Sequence, residues 1–568
     1  MPVDTLTFLA VAGIYVALTF AIGYLGYRQT KGTEDYLLAG RRAGPWVLAL
    51  SYGATFISTS AIIGFGGVAA VYGMGLIWLT VCNIGMGILI AFLLFGKRTR
   101  EIGHRLGAVT FPDLLGRRFS DGFMQYASAI IIIIGMPLYT SAILIGGARF
   151  LEKALSLPFG WSVIVLGLIT AVYVVAGGLI AVMYTNSLHG IVMFAGMTLL
   201  LLFTYSLLGG VVPANEALTA MAPLVPPELA DQGHTGWTSM PVAGSPVWLT
   251  LVTTLILGVG VGALTQPQLI VRFMTARDSR TLDQAVLVGG PFILMMTGVT
   301  FTVGALSNVF FYRETGSIAM TAVAGGNLDS IIPVFIDLAT PSWFVVLFLI
   351  TLLAASMSTL SSLFHVMGTA VGFDIWQHFG GRRPSIRANQ AGILAMILVS
   401  VILAFTLPGS IVARTTAMFF GLSAAALLPS FAYALYAEAP SARAARASLV
   451  TGAVAWFLWT AFVHRAESAP LGLSRFLTGA EAIRPPALGP GPRGRRRPGG
   501  IPGGGSGLKG RPNLAVRLLP DGKFAPSVLN VLQSVRTFGA HLPPDGSHLR
   551  RSTSCSRFAP SVLTSLRT

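Results

Sequence analysis

Residues 355–362 carry five hydroxyl groups within about two turns of a predicted helix, in the order Ala-Ser-Met-Ser-Thr-Leu-Ser-Ser. Hydroxyl and backbone carbonyl oxygens are hard ligands, the kind that hard cations prefer. Because no carboxylate lies among them, the cluster favours a monovalent cation over Ca²⁺. The alternative is that each hydroxyl bonds to a carbonyl one turn earlier in its own helix.

Two glycine-rich apolar stretches offer the complementary half of a cation site. Residues 51–67 read Ser-Tyr-Gly-Ala-Thr-Phe-Ile-Ser-Thr-Ser-Ala-Ile-Ile-Gly-Phe-Gly-Gly, and the second stretch contains Gly258, Gly260 and Gly262. Such segments at matching positions of two halves indicate broken helices in an inverted-repeat transporter. Carbonyls freed by a break need a partner inside a membrane, and a cation is one. The alternative is close packing between helices, for which small residues are common.

The composition places both features inside a membrane protein. Of 568 residues, 54% are hydrophobic and only 10% are charged, whereas a soluble domain carries about 25% charged residues. The apolar residues form repeated runs of about 20, the length that crosses a bilayer as a helix. Backbone polar groups in lipid must be satisfied within their own segment, so these runs are predicted to be helices. The predicted class is an all-α integral membrane protein.

Twelve apolar spans can be drawn along the chain, and the charges between them predict its orientation. The loops after the first, third, seventh, ninth and eleventh spans are basic, with Arg272, Arg277 and Arg280 assigned to the loop after the seventh. The loop 209–246 has acidic residues but no Lys or Arg. Basic loops stay in the cytoplasm, so the N-terminus is expected outside the cell (plasma or inner) membrane. The spans are 5–27, 46–72, 75–96, 122–150, 158–178, 185–208, 247–271, 285–310, 342–372, 388–407, 411–436 and 446–464.

The net charge of +17 does not indicate a nucleic-acid partner, because most of it lies at one end of the chain. From Ile483 onward there are 14 Lys and Arg against two Asp, which gives +12 there and +5 in the rest. The two cysteines, Cys82 and Cys555, are far apart and suggest neither a disulfide framework nor a metal site. The sequence therefore predicts no nucleic-acid partner.

Residues 466–568 differ in composition from the rest, because they are rich in Gly, Pro and Arg. The sequence Phe-Ala-Pro-Ser-Val-Leu at 524–529 recurs at 558–563. Little apolar surface is present to offset the entropy cost of ordering, which favours a disordered tail. An even number of spans would place this basic tail outside, so a second hypothesis is a frameshift or gene-model error that replaced a final span. The predicted domains are a transmembrane domain, 1–465, and this tail, 466–568.

Four stretches in order resemble a known family. They read Glu-Asp-Tyr-Leu-Leu-Ala-Gly-Arg-Arg-Ala-Gly-Pro-Trp at 34–46, Gly-Gly-Leu-Ile-Ala-Val at 177–182, Gln-Pro-Gln-Leu-Ile-Val-Arg-Phe-Met at 266–274 and Ala-Ala-Ser-Met-Ser-Thr-Leu-Ser at 354–361. They resemble the sodium:solute symporter family, which includes sodium/proline, sodium/pantothenate, sodium/monocarboxylate and sodium/glucose carriers. The resemblance covers residues 5–465 and implies a leucine-transporter-like fold. That fold has two inverted five-helix repeats plus flanking helices, and the second and seventh spans begin the repeats.

The resemblance also implies a sodium site. In the family, carbonyls of the first broken helix and oxygens of the eighth core helix bind Na⁺. On this chain the carbonyl donors are Ala54, Ile57 and Ala355, and the hydroxyl donors are Ser358 and Thr359. Na⁺ is the expected coupling ion, with no organic cofactor. It would join the broken helix to the ninth span in the outward-open state, so coupling follows from different affinities in the two states.

The chain departs from the family pattern at two positions. Proline-type members carry an aspartate where this chain has Phe56, which argues against a proline carrier. They carry another after the Gly-Gly motif where this chain has Asn186, so release of Na⁺ to the cytoplasm is expected to use Asn186, Thr185 and water. The alternative for Asn186 is a helix N-cap, a position that Asn suits.

The solute is expected between the two broken helices, near the middle of the membrane. Val259 and Ala263 are small where relatives place bulky aromatics, which leaves room without naming a ligand. His365 is either a proton-linked or solute-contacting group or a neutral packing residue. Each candidate alone is compatible with ordinary helix packing. The candidate lining residues are Phe56, Ser60, Tyr139, Thr140, Val259, Ala263 and Gln266.

The leading functional hypothesis is a secondary active symporter that takes up a small organic solute, either a monocarboxylate or an amino-acid-like molecule, by alternating access. A membrane sensor with the same fold and a non-functional truncated paralogue are the alternatives. An enzyme is least favoured, because no nucleophile–base pair, metal cluster or phosphate loop is evident. The expected partners are the solute and the lipid bilayer, with a monomer as the functional unit.

Overall fold

The computed structural model describes residues 5–155, 157–323, 326–377, 385–407 and 412–463, and the predicted tail lies outside them. The described residues form helices and connecting loops, with a single isolated bridge between Ala43 and Ala276. Eleven helices, α1 to α11, position the site. They are Thr7–Gln29, Pro45–Phe56, Ser60–Leu106, Gly122–Glu152, Phe159–Leu207, Pro246–Thr275, Ser279–Thr315, Ser342–Trp376, Ile386–Thr406, Val412–Tyr436 and Ala442–Phe462. Ten of these, all except α2, are long and apolar enough to cross a membrane.

Each of the twelve predicted spans falls on these helices, but the correspondence is not one to one. The second span, 46–72, covers α2 and the start of α3, which also contains the third span, and α5 contains the fifth and sixth spans. In α3 the spans are separated at Gly73, which has a φ of 74°. In α5 they are separated at Gly178, with φ 57° and ψ −150°. A Cβ at Gly178 would lie 2.6 Å from the carbonyl oxygen of Tyr36, so both the left-handed backbone and the close contact require glycine.

The helix α8 lies at the centre of the molecule. In its most apolar window 94% of the residues are buried, against 22% in α1 and 17% in α11. It packs against α5, α4 and α9. Because it is enclosed by protein rather than lipid, α8 can carry the row of hydroxyl groups that a lipid-facing helix would leave without partners.

Both helices predicted to be broken are interrupted. Between α2 and α3 the backbone is extended at Ile57, with φ −100° and ψ 116°. The hydroxyl of Ser58 then accepts a hydrogen bond from the N–H of Ala61 at 3.3 Å, which caps the helix that follows. In α6 the break falls at Gln266, with ψ 114°, because the residue before Pro267 avoids helical geometry and proline suits the first helical position.

The glycines that led to this prediction are not the cause of either break. A Cβ on Gly67 would lie 2.1 Å from the carbonyl oxygen of Leu328, and one on Gly262 would lie 2.4 Å from that of Phe420. A Cβ on Gly260 would lie 2.3 Å from the sulfur of Cys82. For these glycines the alternative of close helix packing is therefore correct, whereas the breaks depend on Ser58 and Pro267.

The loop between α7 and α8 contains a titratable group that should link stability to pH. Burial raises the pKa of Asp329 to about 6, although the backbone N–H of Val412 partly opposes this effect. The stability that the neutral carboxyl contributes is complete below its unfolded pKa and is lost as the pH rises through about 6. Asp329→Asn, which stays neutral, should remove this loss. The check is the thermal unfolding midpoint of both proteins at about pH 5 and about pH 7.5; an equal decrease in both would contradict the assignment.

Candidate sodium site and solute cavity

The interrupted backbone after α2 lies against the hydroxyl cluster of α8. The hydroxyl of Ser358 donates to the carbonyl oxygen of Ala54 at 2.8 Å. The hydroxyl of Thr359 lies 3.2 Å from the carbonyl oxygen of Thr55 and 3.4 Å from that of Ile57. These contacts join residues that are about 300 positions apart in the sequence, so they tie the first repeat to the second.

All five residues predicted to bind Na⁺ meet at this contact, which we call the five-oxygen cluster. It consists of the carbonyl oxygens of Ala54, Ile57 and Ala355 and the hydroxyl oxygens of Ser358 and Thr359. Each of the five residues is buried. The carbonyl oxygen of Ala355 lies 3.1 Å from the hydroxyl of Ser358.

The donor set suits a monovalent cation. A hydroxyl has one hydrogen and two lone pairs, so Ser358 can donate to only one of its two carbonyl neighbours. If the hydroxyls turned their lone pairs inward, three carbonyls and two hydroxyls would present five hard, uncharged oxygens to one ion. The alternative of bonding within the helix holds for Ser356, Ser361 and Ser362, which reach carbonyls one turn earlier in α8. Ser358 has a carbonyl neighbour both in its own helix and in the first broken helix, whereas Thr359 reaches only the latter.

A small cavity adjoins the same break on its other side, with about 30 Å³ of solvent-accessible volume. Three predicted solute-binding residues line it, namely Phe56, Tyr139 and Val259. The remaining lining residues were missed by the sequence analysis, and they come from α3, α7 and α10 as well as from the break itself. They are Ile57, Ser58, Ala61, Phe65, Leu79, Asn83, Thr297, Phe301, Thr416 and Phe420.

Four predicted solute-binding residues lie outside the lining of this cavity, although all four are buried. The hydroxyl of Ser60 bonds to that of Thr416 and so joins α3 to α10. Thr140 donates to a carbonyl of its own helix, and the amide of Gln266 does the same at 3.1 Å. Ala263 lies in the short turn of helix before the break in α6.

Comparisons with known proteins identify the family of the chain. A family model described as "Sodium:solute symporter family" matches residues 36–452. The chain belongs to the sodium:solute symporter family. The osmoregulated proline transporter OpuE of Bacillus subtilis is 27% identical over 455 residues, covering 79% of this chain and 87% of its own length. Sodium/proline symporter 2 of Staphylococcus saprophyticus is 25% identical over 464 residues, covering 79% and 85%.

A solved structure of a Na⁺-coupled sialic acid symporter, in a substrate-bound outward-open state, aligns with a TM-score of 0.66. It is 17% identical and covers 79% of this chain and 90% of its own, so it supports the fold alone. The predicted leucine-transporter-like fold is confirmed: α2 to α5 form the first repeat, α6 to α10 the second, and α1 and α11 flank them. The protein is a multi-pass, Na⁺-coupled solute symporter, and family membership indicates a transporter rather than an enzyme.

In this symporter Asn186 lies in the middle of α5, so the alternative that it caps a helix is wrong. Its amide nitrogen lies 3.0 Å from the hydroxyls of Thr55 and Ser362 and 2.9 Å from the carbonyl oxygen of Ser358. Its amide oxygen accepts from the hydroxyl of Ser361 at 3.1 Å. Asn186 therefore contacts one residue of the five-oxygen cluster, Ser358, through its backbone carbonyl, and otherwise bonds to hydroxyls beside the cluster.

The structure also gives the surroundings of Thr185 and His365. Thr185 donates to the carbonyl of Ala181 in its own helix, so its hydroxyl is satisfied locally. His365 lies 3.0 Å from the carbonyl oxygen of Tyr36 through its Nε2 atom and is fully enclosed, which agrees with its packing alternative. Neither of these two residues lines the cavity.

The most important residue that the sequence analysis misplaced is Arg272. It was assigned to a loop, but α6 continues to Thr275 and the Arg272 side chain is only 1% exposed. It bonds to Ser51, Thr55 and Ser362, next to the five-oxygen cluster. The sequence did hold a signal, because Arg272 follows Pro267 by five residues within an apolar stretch, where a short continuation of the helix carries it inward.

Replacement of the hydroxyls of Ser358 and Thr359 should specifically lower the affinity of the transporter for Na⁺. With Ser358→Ala and Thr359→Ala combined, two of five ligands are lost, so the Na⁺ concentration for half-maximal uptake should rise by about tenfold or more. The measurement is uptake into proteoliposomes against Na⁺ at constant ionic strength. The matched control is Thr198→Ala, because Thr198 is exposed and bonds only within its helix. An unchanged sodium dependence in the double variant would remove the cluster from consideration.

Proposed function

We propose that this symporter binds Na⁺ at the five-oxygen cluster and uses its inward gradient to take up a small, amino-acid-like solute. One observation carries the proposal. Ile57 contributes its carbonyl oxygen to the cluster and also lines the cavity, together with its neighbours Phe56 and Ser58. An ion that fixes the backbone at Ile57 therefore also fixes one wall of the solute cavity.

This shared segment supplies a physical route for coupling. Na⁺ that binds the cluster stabilises the arrangement of α2 and α8 in which they touch. Bound Na⁺ raises the affinity for the solute only if that same arrangement also shapes the solute cavity. Bound solute then raises the affinity for Na⁺ by the same factor. When neither Na⁺ nor solute holds the first broken helix against α8, the helix can move relative to α8. This movement produces alternating access.

The chemistry of the cavity supports an amino-acid-like solute over a simple monocarboxylate. Among the residues that line it, none is Asp, Glu, Lys or Arg, and the walls combine aromatic, aliphatic and uncharged polar side chains. The amide oxygen of Asn83 is buried and has no partner within the described part of the chain. An acceptor of this kind requires a donor, because an unpaired buried polar group is costly. An amino or imino group supplies one, whereas propionate does not.

Two observations bear on which solute is transported, and they point in opposite directions. The similar proteins OpuE and sodium/proline symporter 2 are named for proline. Phe56, which stands where proline-type members carry aspartate, lies in the cavity wall. We therefore expect proline to be transported, with small apolar amino acids as competitors of similar or better affinity.

The N-terminus lies outside the cell membrane in this proposal. The basic loops after the third, seventh and eleventh spans contact one another, which supports the orientation by charge. Arg100 bonds to the carbonyls of Ala276 and Arg277, and Arg446 pairs with Asp121. One chain supplies both the cluster and the cavity, so a single transport domain, residues 1–465, serves as the functional unit.

Uptake into proteoliposomes tests the proposal directly. Labelled proline, alanine, propionate and glucose would be offered with an inward Na⁺ gradient and with choline in its place. An amino acid should accumulate only with Na⁺. Preference for propionate or glucose would contradict the solute class, while binding without accumulation of any solute would indicate a sensor instead.

Asn83 should determine solute affinity without affecting sodium affinity. Asn83→Ala removes the acceptor, so the KM for the transported amino acid should rise about tenfold or more, while half-saturation by Na⁺ changes little. The control is Asn215→Ala, since Asn215 is exposed and its amide bonds within its own helix. If KM is the same in all three proteins, the amide does not contact the solute.

A further inference from the structure

Arg272 is an arginine enclosed in the centre of the protein. Its Nε atom donates to the hydroxyl of Ser51 at 3.0 Å, and its Nη1 atom donates to the carbonyl of Gln268 at 2.9 Å. Its Nη2 atom donates to the hydroxyls of Thr55 at 2.7 Å and Ser362 at 2.9 Å. The guanidinium thus joins the second half of α6 to both helices that build the five-oxygen cluster.

No carboxylate compensates this charge within the described part of the chain. The ion pairs found there involve other basic residues, such as Arg117 with Asp113 and Arg446 with Asp121. The side chains that accept hydrogen bonds from Arg272 are hydroxyls, and the next group in the network is the neutral amide of Asn186. A buried charge without a counter-charge is costly, so its retention calls for a physical reason.

The guanidinium is one residue away from the proposed sodium ligands. Thr55 accepts from Arg272 through its hydroxyl and from Thr359 through its carbonyl oxygen. Ser362, the other shared partner, donates to the carbonyl of Ser358 at 3.0 Å. Like charges this close repel strongly inside a protein, because little solvent screens them.

The same contacts occupy the remaining hydroxyls of the cluster region. Thr55, Ser361 and Ser362 would otherwise be a second group of hard oxygens beside the first. Arg272 and Asn186 already donate hydrogen bonds to Thr55 and Ser362, and Ser361 donates to Asn186. A second cation there would lose these contacts and meet a fixed positive charge.

We propose that Arg272 is a fixed positive charge that weakens Na⁺ binding at the five-oxygen cluster and keeps a second cation out of the neighbouring hydroxyls. The inference rests on the proposed sodium site. A site that binds Na⁺ weakly releases it more readily into a cytoplasm that contains little Na⁺. The neutral amide of Asn186 carries no charge that could promote this release. One Na⁺ then accompanies each solute.

Sodium binding to the purified full-length protein tests this proposal. Thermal stability is measured against Na⁺ concentration at constant ionic strength, with choline as the replacement, because a ligand stabilises the state that binds it. Arg272→Gln removes the positive charge and Asn186→Asp adds a negative one beside it. Both should lower the half-saturating Na⁺ concentration at least about fivefold, and tighter binding is not a result that simple damage to the fold produces.

Two variants provide the controls. Arg272→Lys keeps the charge but loses the fork of donors, so its half-saturating Na⁺ concentration should stay near the wild-type value. Arg118→Gln removes a positive charge that bonds to the carbonyls of Ala434 and Ala437, away from the cluster, and should have no effect. If Arg272→Gln fails to fold, Asn186→Asp and Arg272→Lys decide the question.

The outcomes separate this inference from the proposed site. The site stands if Na⁺ stabilises the wild type and the Ser358→Ala/Thr359→Ala variant loses that response. The role of Arg272 is refuted if, in addition, Asn186→Asp and Arg272→Gln bind Na⁺ no more tightly than the wild type. If the hydroxyl variant responds as the wild type does, the site itself is wrong.

The charge transported per amino acid gives the number of Na⁺ ions coupled to each solute. One Na⁺ is expected, and two would overturn the exclusion of a second cation.

Discussion

The structure depends on a constraint that membranes impose on backbone. Carbonyl oxygens released by a broken helix cannot turn to water in the middle of a bilayer, so another group must satisfy them. Here the hydroxyls of Ser358 and Thr359 do so, at distances of 2.8 to 3.4 Å from the carbonyls of the first broken helix. A cation bound at the proposed site would satisfy the same carbonyls. In this proposal the break is stable both with and without the ion, which is what a coupled transporter requires.

The surroundings of the contact explain why it can be polar. The helix α8 is enclosed by other helices, so its hydroxyls contact protein and not lipid. On one side of the cluster lies the cavity, and on the other a network that joins Asn186, Arg272 and Ser362. We propose that the first side binds the solute and that the second changes the electrostatic potential at the ion. Both sides meet at the few residues around Thr55 and Ile57.

Composition was enough to predict the class, because so few charges cannot cover a soluble surface of this size. The five predicted sodium ligands came from the family resemblance, and the structure brings all five together. The break positions were not predictable from glycine content, because Gly67, Gly260 and Gly262 serve close packing while Ser58 and Pro267 mark the breaks.

The cavity lining was harder to predict for a reason of helical geometry. The segments Ser60–Gly64, Asn83–Gly96 and Thr250–Val259 are π-helical, with one extra residue in each hydrogen-bonded turn. The residues that follow within these segments then point in directions that counting along an ordinary α-helix does not predict. Arg272 was misplaced because burial of a cation without a carboxylate runs against the usual cost of charge in a membrane.

The most direct test of the account is an experimental density map of the protein in saturating NaCl, compared with one in choline chloride. The account predicts a density in NaCl within about 2.5 Å of the oxygens of Ala54, Ile57, Ala355, Ser358 and Thr359, the distance at which oxygen ligands hold hard cations. The same position should be featureless in choline. A map in NaCl in which both hydroxyls remain bonded to the carbonyls, with ion density elsewhere, would contradict it.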